Sequence, residues 1–253
     1  MKKLAGRVAI VTGAARGLGE ASARALCTEG AAVMLTDVLA EGVATSETLA
    51  KQGHKAAFTP HDVSSAEQWE EVVKSTVDRF GDINILVNNA GITFNASFED
   101  VSLEQFQRII DVNLFGAFLG MKAVLTSMKR TKNGSIINIA STTTDQILSI
   151  APCYGSSKAA LANLTKSAAV HCAEREYGIR INSIHPGTHA TQMIQGAGKA
   201  SDHPQARAII ASIPMKRIGQ PSELGKVVAF LASDDASYIT GAEIFVDGGA
   251  TIV

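Results

Sequence analysis

Short apolar runs alternate along this chain with longer stretches whose apolar positions recur at helical spacing. Val8-Ala-Ile-Val-Thr12 carries no charged residue and stops at Gly13. That is the pattern of a parallel strand buried on both faces. The same kind of run returns at Ala32–Thr36, Lys55–Thr59, Asn84–Val87, Ser135–Ala140, Arg180–Ile184 and Glu243–Val246. Between these runs the spacing predicts helices at about Leu18–Glu29, Val43–Gln52, Ala66–Phe80, Leu103–Met128, Tyr154–Tyr177 and Ser222–Ala232. Strand and helix in strict alternation predict an α/β fold. Its core is a doubly wound parallel sheet of seven strands with helices on both faces. No repeat, linker or low-complexity tract divides the chain, so residues 1–253 read as a single domain.

One stretch breaks the rhythm. Gly187–Gly219 is long, mixed and glycine-containing, and as a plain surface excursion it would carry a short helix at about Pro204–Ser212. It follows a strand at the end of the sheet where ligands bind, so residues 188–218 read as a substrate lid rather than a plain surface excursion.

Bulk composition narrows the function classes. Apolar residues make up 46% and charged residues 19%, a globular balance. A net charge of −1 offers no basic field to nucleic acid or an anionic membrane. Lys2 and Lys3 precede an apolar run too short for a translocation signal, and no uninterrupted apolar stretch approaches membrane-spanning length. Cys27, Cys153 and Cys172 are widely spaced and form no CxxC, which suits reduced thiols in a cytoplasmic protein. No HExxH is present, and His171, His185 and His189 lack ligand spacing with acids, so no metal is expected.

The chemistry begins at Thr12-Gly13-Ala-Ala-Arg16-Gly17-Leu18-Gly19, between the first strand and first helix. Glycines there let backbone approach a pyrophosphate, and the helix start offers free amides and a positive dipole. The spacing is G-x-x-x-G-x-G rather than G-x-G-x-x-G; a tight turn is the alternative. Asp37 ends the second strand, eighteen residues after Gly19. A carboxylate there accepts from adenosine ribose hydroxyls and repels a 2′-phosphate. Arg16 pulls toward the phosphate, but Val38 stands where a basic residue would help it, so the balance predicts NAD. Asp62-Val63 follows the third strand, to meet the adenine or to cap the next helix. Asn88-Asn89-Ala90-Gly91 ends the fourth strand and suits a turn against a ligand.

Tyr154 and Lys158 lie four apart in Tyr-Gly-Ser-Ser-Lys, thirteen residues after Ser141. That spacing puts both side chains on one helix face, where an ammonium favours the phenolate.

Taken together, TGAARGLG (12–19), NNAG (88–91), Asn113, Ser141, YGSSK (154–158), PGTHAT (186–191) and VDGG (246–249) resemble the short-chain dehydrogenase/reductase family over nearly the whole chain. The resemblance implies a Rossmann-like sheet and a homotetramer. It implies Tyr154 as general acid/base, Ser141 as holder of the substrate oxygen, and Lys158 as the cation that lowers the Tyr154 pKa and binds the nicotinamide ribose. Asn113 would anchor a water linking Lys158 to solvent. Gly13, Arg16, Gly17, Leu18, Gly19, Asp37, Val38, Asp62, Val63, Asn89, Ala90, Gly91, Tyr154 and Lys158 would line the cofactor, with Pro186, Gly187, Thr188 and Thr191 closing over the nicotinamide. Gln192 departs from a proline common in relatives.

The reaction so implied is reversible oxidation of a secondary alcohol to its ketone. Pocket residues are expected from Thr93–Ala96, Thr142–Pro152 and Thr188–Ile213. Phe94, Ile147, Leu148, Ile150, Met193 and Ile194 there favour a hydrophobic or alicyclic alcohol, with hydroxysteroids among the candidates. Two alternatives stand beside it: an NADPH-dependent ketoacyl-carrier-protein reductase, and a nucleotide-sensing protein without turnover.

Overall fold

The computed structural model describes residues 2–191 and 204–253. Its seven strands are β1 (Val8–Thr12), β2 (Ala32–Asp37), β3 (Ala56–Pro60), β4 (Ile85–Asn88), β5 (Gly134–Ile139), β6 (Ile179–Pro186) and β7 (Glu243–Val246). They form one sheet in the order β3-β2-β1-β4-β5-β6-β7, with every pairing parallel. Strand order reverses direction between β1 and β4. Their carboxyl ends flank the crevice in which open α/β sheets take ligands.

Alternation along the strands divides their side chains between two cores. Ala9, Val11, Val33, Leu35, Ile137 and Ile139 face one cluster, shared with Leu26 of α1 (Gly17–Thr28), Leu49 of α2 (Gly42–Lys51) and Val228 of α8 (Pro221–Ala232). Ile10, Met34, Leu86, Ile136 and Ile181 face the other. Trp69 of α3 (Ala66–Phe80), Val124 of α5 (Gly116–Thr131) and Cys172 of α6 (Pro152–Glu174) close it. All three cysteines are free and buried.

Two helices depart from expectation. The predicted helix Leu103–Met128 is α4 (Leu103–Ile110), a wide π turn at Asp111–Phe115, and then α5. The π turn carries Asn113, whose side chain bonds another segment rather than its own helix. By length and composition Leu103–Thr131 could cross a membrane, with a mean hydropathy of 1.5 over its best window. Here Ala117, Met121, Val124 and Met128 are buried, and the last three join the second core. The second departure is α6, which starts at Pro152 rather than Tyr154 and ends at Glu174 rather than Tyr177. Proline suits the first helical position because its missing N–H has no partner there anyway. A seventh helix, α7, occupies Pro204–Ser212 as expected; residues 192–203 of the predicted lid lie outside the described residues.

His61, just beyond β3, shows how tightly this core constrains charge. Its ring meets Trp69 edge to face at 4.4 Å, and its Nδ1 lies 3.1 Å from Thr36 Oγ1. Its Nε2 is buried without a hydrogen-bond partner. Burial pushes the imidazole down to about 4, with the Asp62 charge opposing. The folded pKa thus lies below the unfolded value, and the unfolded chain takes up the proton first as pH falls. Stability from neutral His61 is complete above about pH 6.5 and drains away toward pH 4, by ~3 kcal/mol in all. Denaturant titrations at pH 7 and pH 5 are expected to show a smaller pH dependence in His61→Phe than in the parent. Equal slopes would remove His61 from the account.

Candidate active site

The site is built at the carboxyl ends of β1, β4, β5 and β6. After β1 the chain turns at Gly13, whose φ is +62°, and enters α1. A Cβ on Gly13 would stand 2.8 Å from Ala90 Cα, and one on Gly19 would stand 2.1 Å from the Gly13 carbonyl oxygen. The loop, the start of α1 and the turn after β4 are therefore packed backbone to backbone. Asn89 braces them: its Nδ2 donates to Thr12 O at 2.9 Å and Gly13 O at 3.0 Å. Thr12 Oγ1 in turn accepts from Asn89 N (3.0 Å) and Ala90 N (3.1 Å). The Asn89 amide is thus spent on holding the glycine loop. Asn88 points elsewhere, bonding Asn138 and the Ala117 carbonyl inside the core. A loop with no side chain at Gly13, Gly17 and Gly19 ahead of a helix N-terminus fits a pyrophosphate. Leu18, in the first turn of α1, packs against the core beneath.

Asp37, at the end of β2, is already oriented. Its Oδ2 accepts from Ala15 N and its Oδ1 from Leu39 N, both at 3.0 Å. Each oxygen keeps further acceptor capacity for a ribose hydroxyl. Val38 beside it is exposed, and Arg16 leans toward Glu41 at 3.9 Å. At the next strand the capping reading of Asp62-Val63 is realised locally. Asp62 Oδ1 accepts from Ser64 N and Oγ, Oδ2 accepts from Arg108, and Ser65 caps α3. Burial pushes the Asp62 carboxyl up, but the Ser64 and Arg108 bonds outweigh it and hold it below the ordinary value. Val63 is buried, with its carbonyl on Trp69 Nε1.

The predicted acid–base residues come together across β5, the π turn and α6. Ser141 follows β5 and caps a short turn, its Oγ accepting from Thr143 N at 3.1 Å. That bond occupies a lone pair and leaves the hydroxyl proton to donate. Tyr154 stands in the first turn of α6, where the helix dipole favours negative charge. Lys158, one turn on, is buried, and its Nζ donates to Ile139 O at 2.7 Å. Burial lowers its pKa to about 8. Asn113 Nδ2 donates to Ile92 O and Ser157 Oγ, both at 3.0 Å, while its Oδ1 accepts from Ile92 N. A Cβ on Gly91 would lie 3.3 Å from both Asn113 Oδ1 and Lys158 Nζ, so only glycine leaves that shared space open.

The Tyr154 phenol lies above its ordinary pKa, because burial raises it and only the Ser141 hydrogen bond opposes. Lys158 does not reverse this: its Nζ is 5.8 Å from the ring centroid and is committed to a backbone carbonyl. Further positive charge is needed to favour the phenolate.

At the other end, β6 runs out at Pro186. Gly187 packs so closely on Asp247 of the VDGG turn that a Cβ would approach its Cα to 2.8 Å. Thr188 O accepts from Gly219 N, and Ala190 N donates to Gly219 O, both at 2.9 Å. The two ends of the 188–218 excursion are thereby clasped together. Thr191 reaches back, its Cγ2 at 3.7 Å from where a Gly17 Cβ would be. Phe94, Ile147, Leu148 and Ile150 are all exposed, and Ala96 N is bonded to Ile150 O. His189 is buried, its Nδ1 3.0 Å from Gly187 O. Met193, Ile194 and Gln192 lie outside the described residues.

Sequence reading missed Thr12, Ser157 and the Ile139 carbonyl. Thr12 and Ser157 were legible as small hydroxyls inside TGAARGLG and YGSSK. A carbonyl acceptor carries no residue signature at all.

Residues 13–251 match the family described as Enoyl-(Acyl carrier protein) reductase. The chain is 41% identical over 250 residues to the 3-alpha-(or 20-beta)-hydroxysteroid dehydrogenase of Mycobacterium bovis, covering 98% of this chain and 90% of that one. It is 37% identical over 256 residues to the trans-4-hydroxycyclohexanecarboxylate dehydrogenase of Sinomonas cyclohexanicum, covering 98% and 94%. Among solved structures it resembles levodione reductase at a TM-score of 0.92 and 35% identity, covering 99% of each chain.

Proposed function

The chain belongs to the short-chain dehydrogenase/reductase family of oxidoreductases, and we propose that it interconverts a hydrophobic or alicyclic secondary alcohol and its ketone with NAD. The observation that carries this reading is the convergence of Ser141, Tyr154, Lys158 and Asn113 beside the glycine loop. A pure nucleotide sensor has no need for a phenol, a buried ammonium and a serine hydroxyl at one point. The relatives named for hydroxysteroids and for a hydroxycyclohexane acid support a ring-bearing alcohol, as do the exposed Phe94, Leu148 and Ile150.

Gly13, Arg16, Gly17, Leu18 and Gly19 would hold the pyrophosphate, Asp37 the adenosine ribose, and Lys158 the nicotinamide ribose. Asn89, Ala90 and Gly91 would form the wall beneath, and Pro186, Gly187, Thr188 and Thr191 the closing edge. Val38 and the Asp62-Val63 turn would border the adenosine. Bound there, NAD supplies the hydride acceptor and a positive ring. Ser141 donates a hydrogen bond to the substrate oxygen. Tyr154 takes the hydroxyl proton as base, and returns it as acid in the reverse direction. Lys158 adds charge behind the phenol, and Asn113 holds Ser157 and the Ile92 backbone so that α6 keeps its register. Asp37 favours NAD because a 2′-phosphate would meet a carboxylate already fixed by two backbone amides.

The test is spectrophotometric. Purified protein is given NAD or NADP with cyclohexanol, trans-4-hydroxycyclohexanecarboxylate, and 3α- and 20β-hydroxysteroids, and the reduced cofactor is followed. Turnover with NAD on a cyclic member is expected. Turnover with NADP alone would overturn the reading of Asp37, and silence across the panel with both cofactors would overturn the substrate class. We further propose a homotetramer. Two stretches of the chain expose aromatic side chains, Phe106, Phe115 and Phe118 along α4–α5, and Tyr238 before β7 with Phe245 in it. A solution mass near that of the 26.5 kDa monomer would refute it.

A further inference from the structure

His185 is a buried histidine that the mechanism above does not use. It stands near the end of β6, directly before Pro186-Gly187, with its side chain on the same face as Ser183. Its Nδ1 lies 3.1 Å from the backbone carbonyl oxygen of Ser141 and 3.1 Å from Thr144 Oγ1. Its Nε2 lies 3.0 Å from Ser183 Oγ. The ring also packs on Phe245, its partner in the β6–β7 register, with centroids 4.7 Å apart.

The tautomer that serves the Ser141 carbonyl is the one with its proton on Nδ1; Ser183 Oγ, which also stands 3.4 Å from Ala242 O, then turns its proton to the ring. A carbonyl oxygen can only accept, so a bond to Ser141 O requires the proton on Nδ1. Nε2 then accepts from the Ser183 hydroxyl. The neutral form satisfies both nitrogens, and burial acts in the same direction by lowering the imidazole pKa against the charges of Glu243 and Asp145. The Ser141 carbonyl also accepts from Thr144 Oγ1 at 2.9 Å and Thr144 N at 3.3 Å. Those two donors belong to the turn that Ser141 itself caps, and they move with it. His185 is the donor to this carbonyl that comes from a different strand.

We propose that His185 is a positioning residue for Ser141: through an Nδ1–H bond to the Ser141 carbonyl it sets the distance between the serine hydroxyl and the end of β6. This rests on the dehydrogenase reading, in which Ser141 holds the substrate oxygen and Pro186-Gly187 borders the nicotinamide. The bond ties the two halves of the reacting pair to each other. Displacements of about 1 Å between reacting groups can cost ~100-fold in rate.

The test compares two amides of different reach. His185→Asn places its NH2 where Nδ1 was and can still donate to Ser141 O. His185→Gln places it where Nε2 was and cannot. With NAD and whichever panel alcohol is turned over, His185→Gln is expected to lose about 10- to 100-fold in kcat, with KM for NAD within about threefold. His185→Asn is expected to recover most of that loss, at a melting temperature like that of His185→Gln. Equal kcat in the two variants would overturn the proposal while leaving the dehydrogenase reading intact. A second measurement does not depend on turnover. Imidazole 15N NMR of the unsubstituted protein should show His185 protonated at Nδ1 and bare at Nε2. The opposite tautomer would overturn the proposal even if no alcohol in the panel reacts.

Discussion

Tyr154→Phe is expected to lower kcat for alcohol oxidation by about 1,000-fold, within the ~10²- to 10⁴-fold range of general acid–base catalysis. Phenylalanine keeps the ring and its packing, so the first turn of α6 and the fold should survive. What goes is the one group that can take the substrate proton. Burial already places the phenol above its ordinary pKa. On the proposed mechanism a phenolate here would depend on charge assembled around it: Lys158, the dipole of α6 and the cationic ring of a bound nicotinamide. NAD affinity, measured by fluorescence titration, should stay within a few-fold, because the cofactor contacts assigned above lie mainly elsewhere. A loss in kcat smaller than about tenfold would show that another group moves the proton.

Gly19→Ala should raise the NAD dissociation constant by about 100-fold or more and lower the melting temperature. The reason is geometric. The added methyl would stand 2.1 Å from the Gly13 carbonyl oxygen and 2.5 Å from Asn89 Nδ2. Neither is the free end of a flexible chain: one is backbone, and the other is held by bonds to Thr12 O and Gly13 O. Either the glycine loop opens or α1 shifts outward. Overpacking of this kind costs ~1–3 kcal/mol in stability. A shift of the loop also withdraws the amides a pyrophosphate would use, and each 1.4 kcal/mol lost is about tenfold in affinity. Calorimetric titration with NAD reads the effect directly. Binding within about threefold of the parent would mean that the loop is not the cofactor cradle.

Much of this molecule is legible without coordinates because its signals are local. The unbroken run Val8–Thr12, the turn at Gly13 and the helical spacing beyond it each depend on a handful of neighbours. The four-residue interval from Tyr154 to Lys158 needs only a helix to set both on one face. The π turn at Asp111–Phe115 escaped notice because no residue type marks it. It exists because Asn113 bonds the Ile92 backbone, 21 positions earlier in the chain, and Ser157, 44 positions later.

The amino-acid order by itself determined the α/β class, the seven strands, the glycine loop, the acidic end of β2 and the one-turn spacing of Tyr154 and Lys158. Periodicity, turn chemistry and residue type are properties of short segments. Only the tertiary structure decided how those segments meet. It gave Asn89 to the glycine loop and Asn88 to the core, turned Lys158 onto the Ile139 carbonyl, and set His185 behind Ser141. Each of these is a contact between residues 19 to 77 positions apart, brought together by the order of the sheet and by the packing of α6 on it. The Tyr154 pKa belongs to the same class. Residue spacing predicts a lysine nearby, but burial sets the sign of the shift against the Ser141 hydrogen bond, and both are properties of the packed fold.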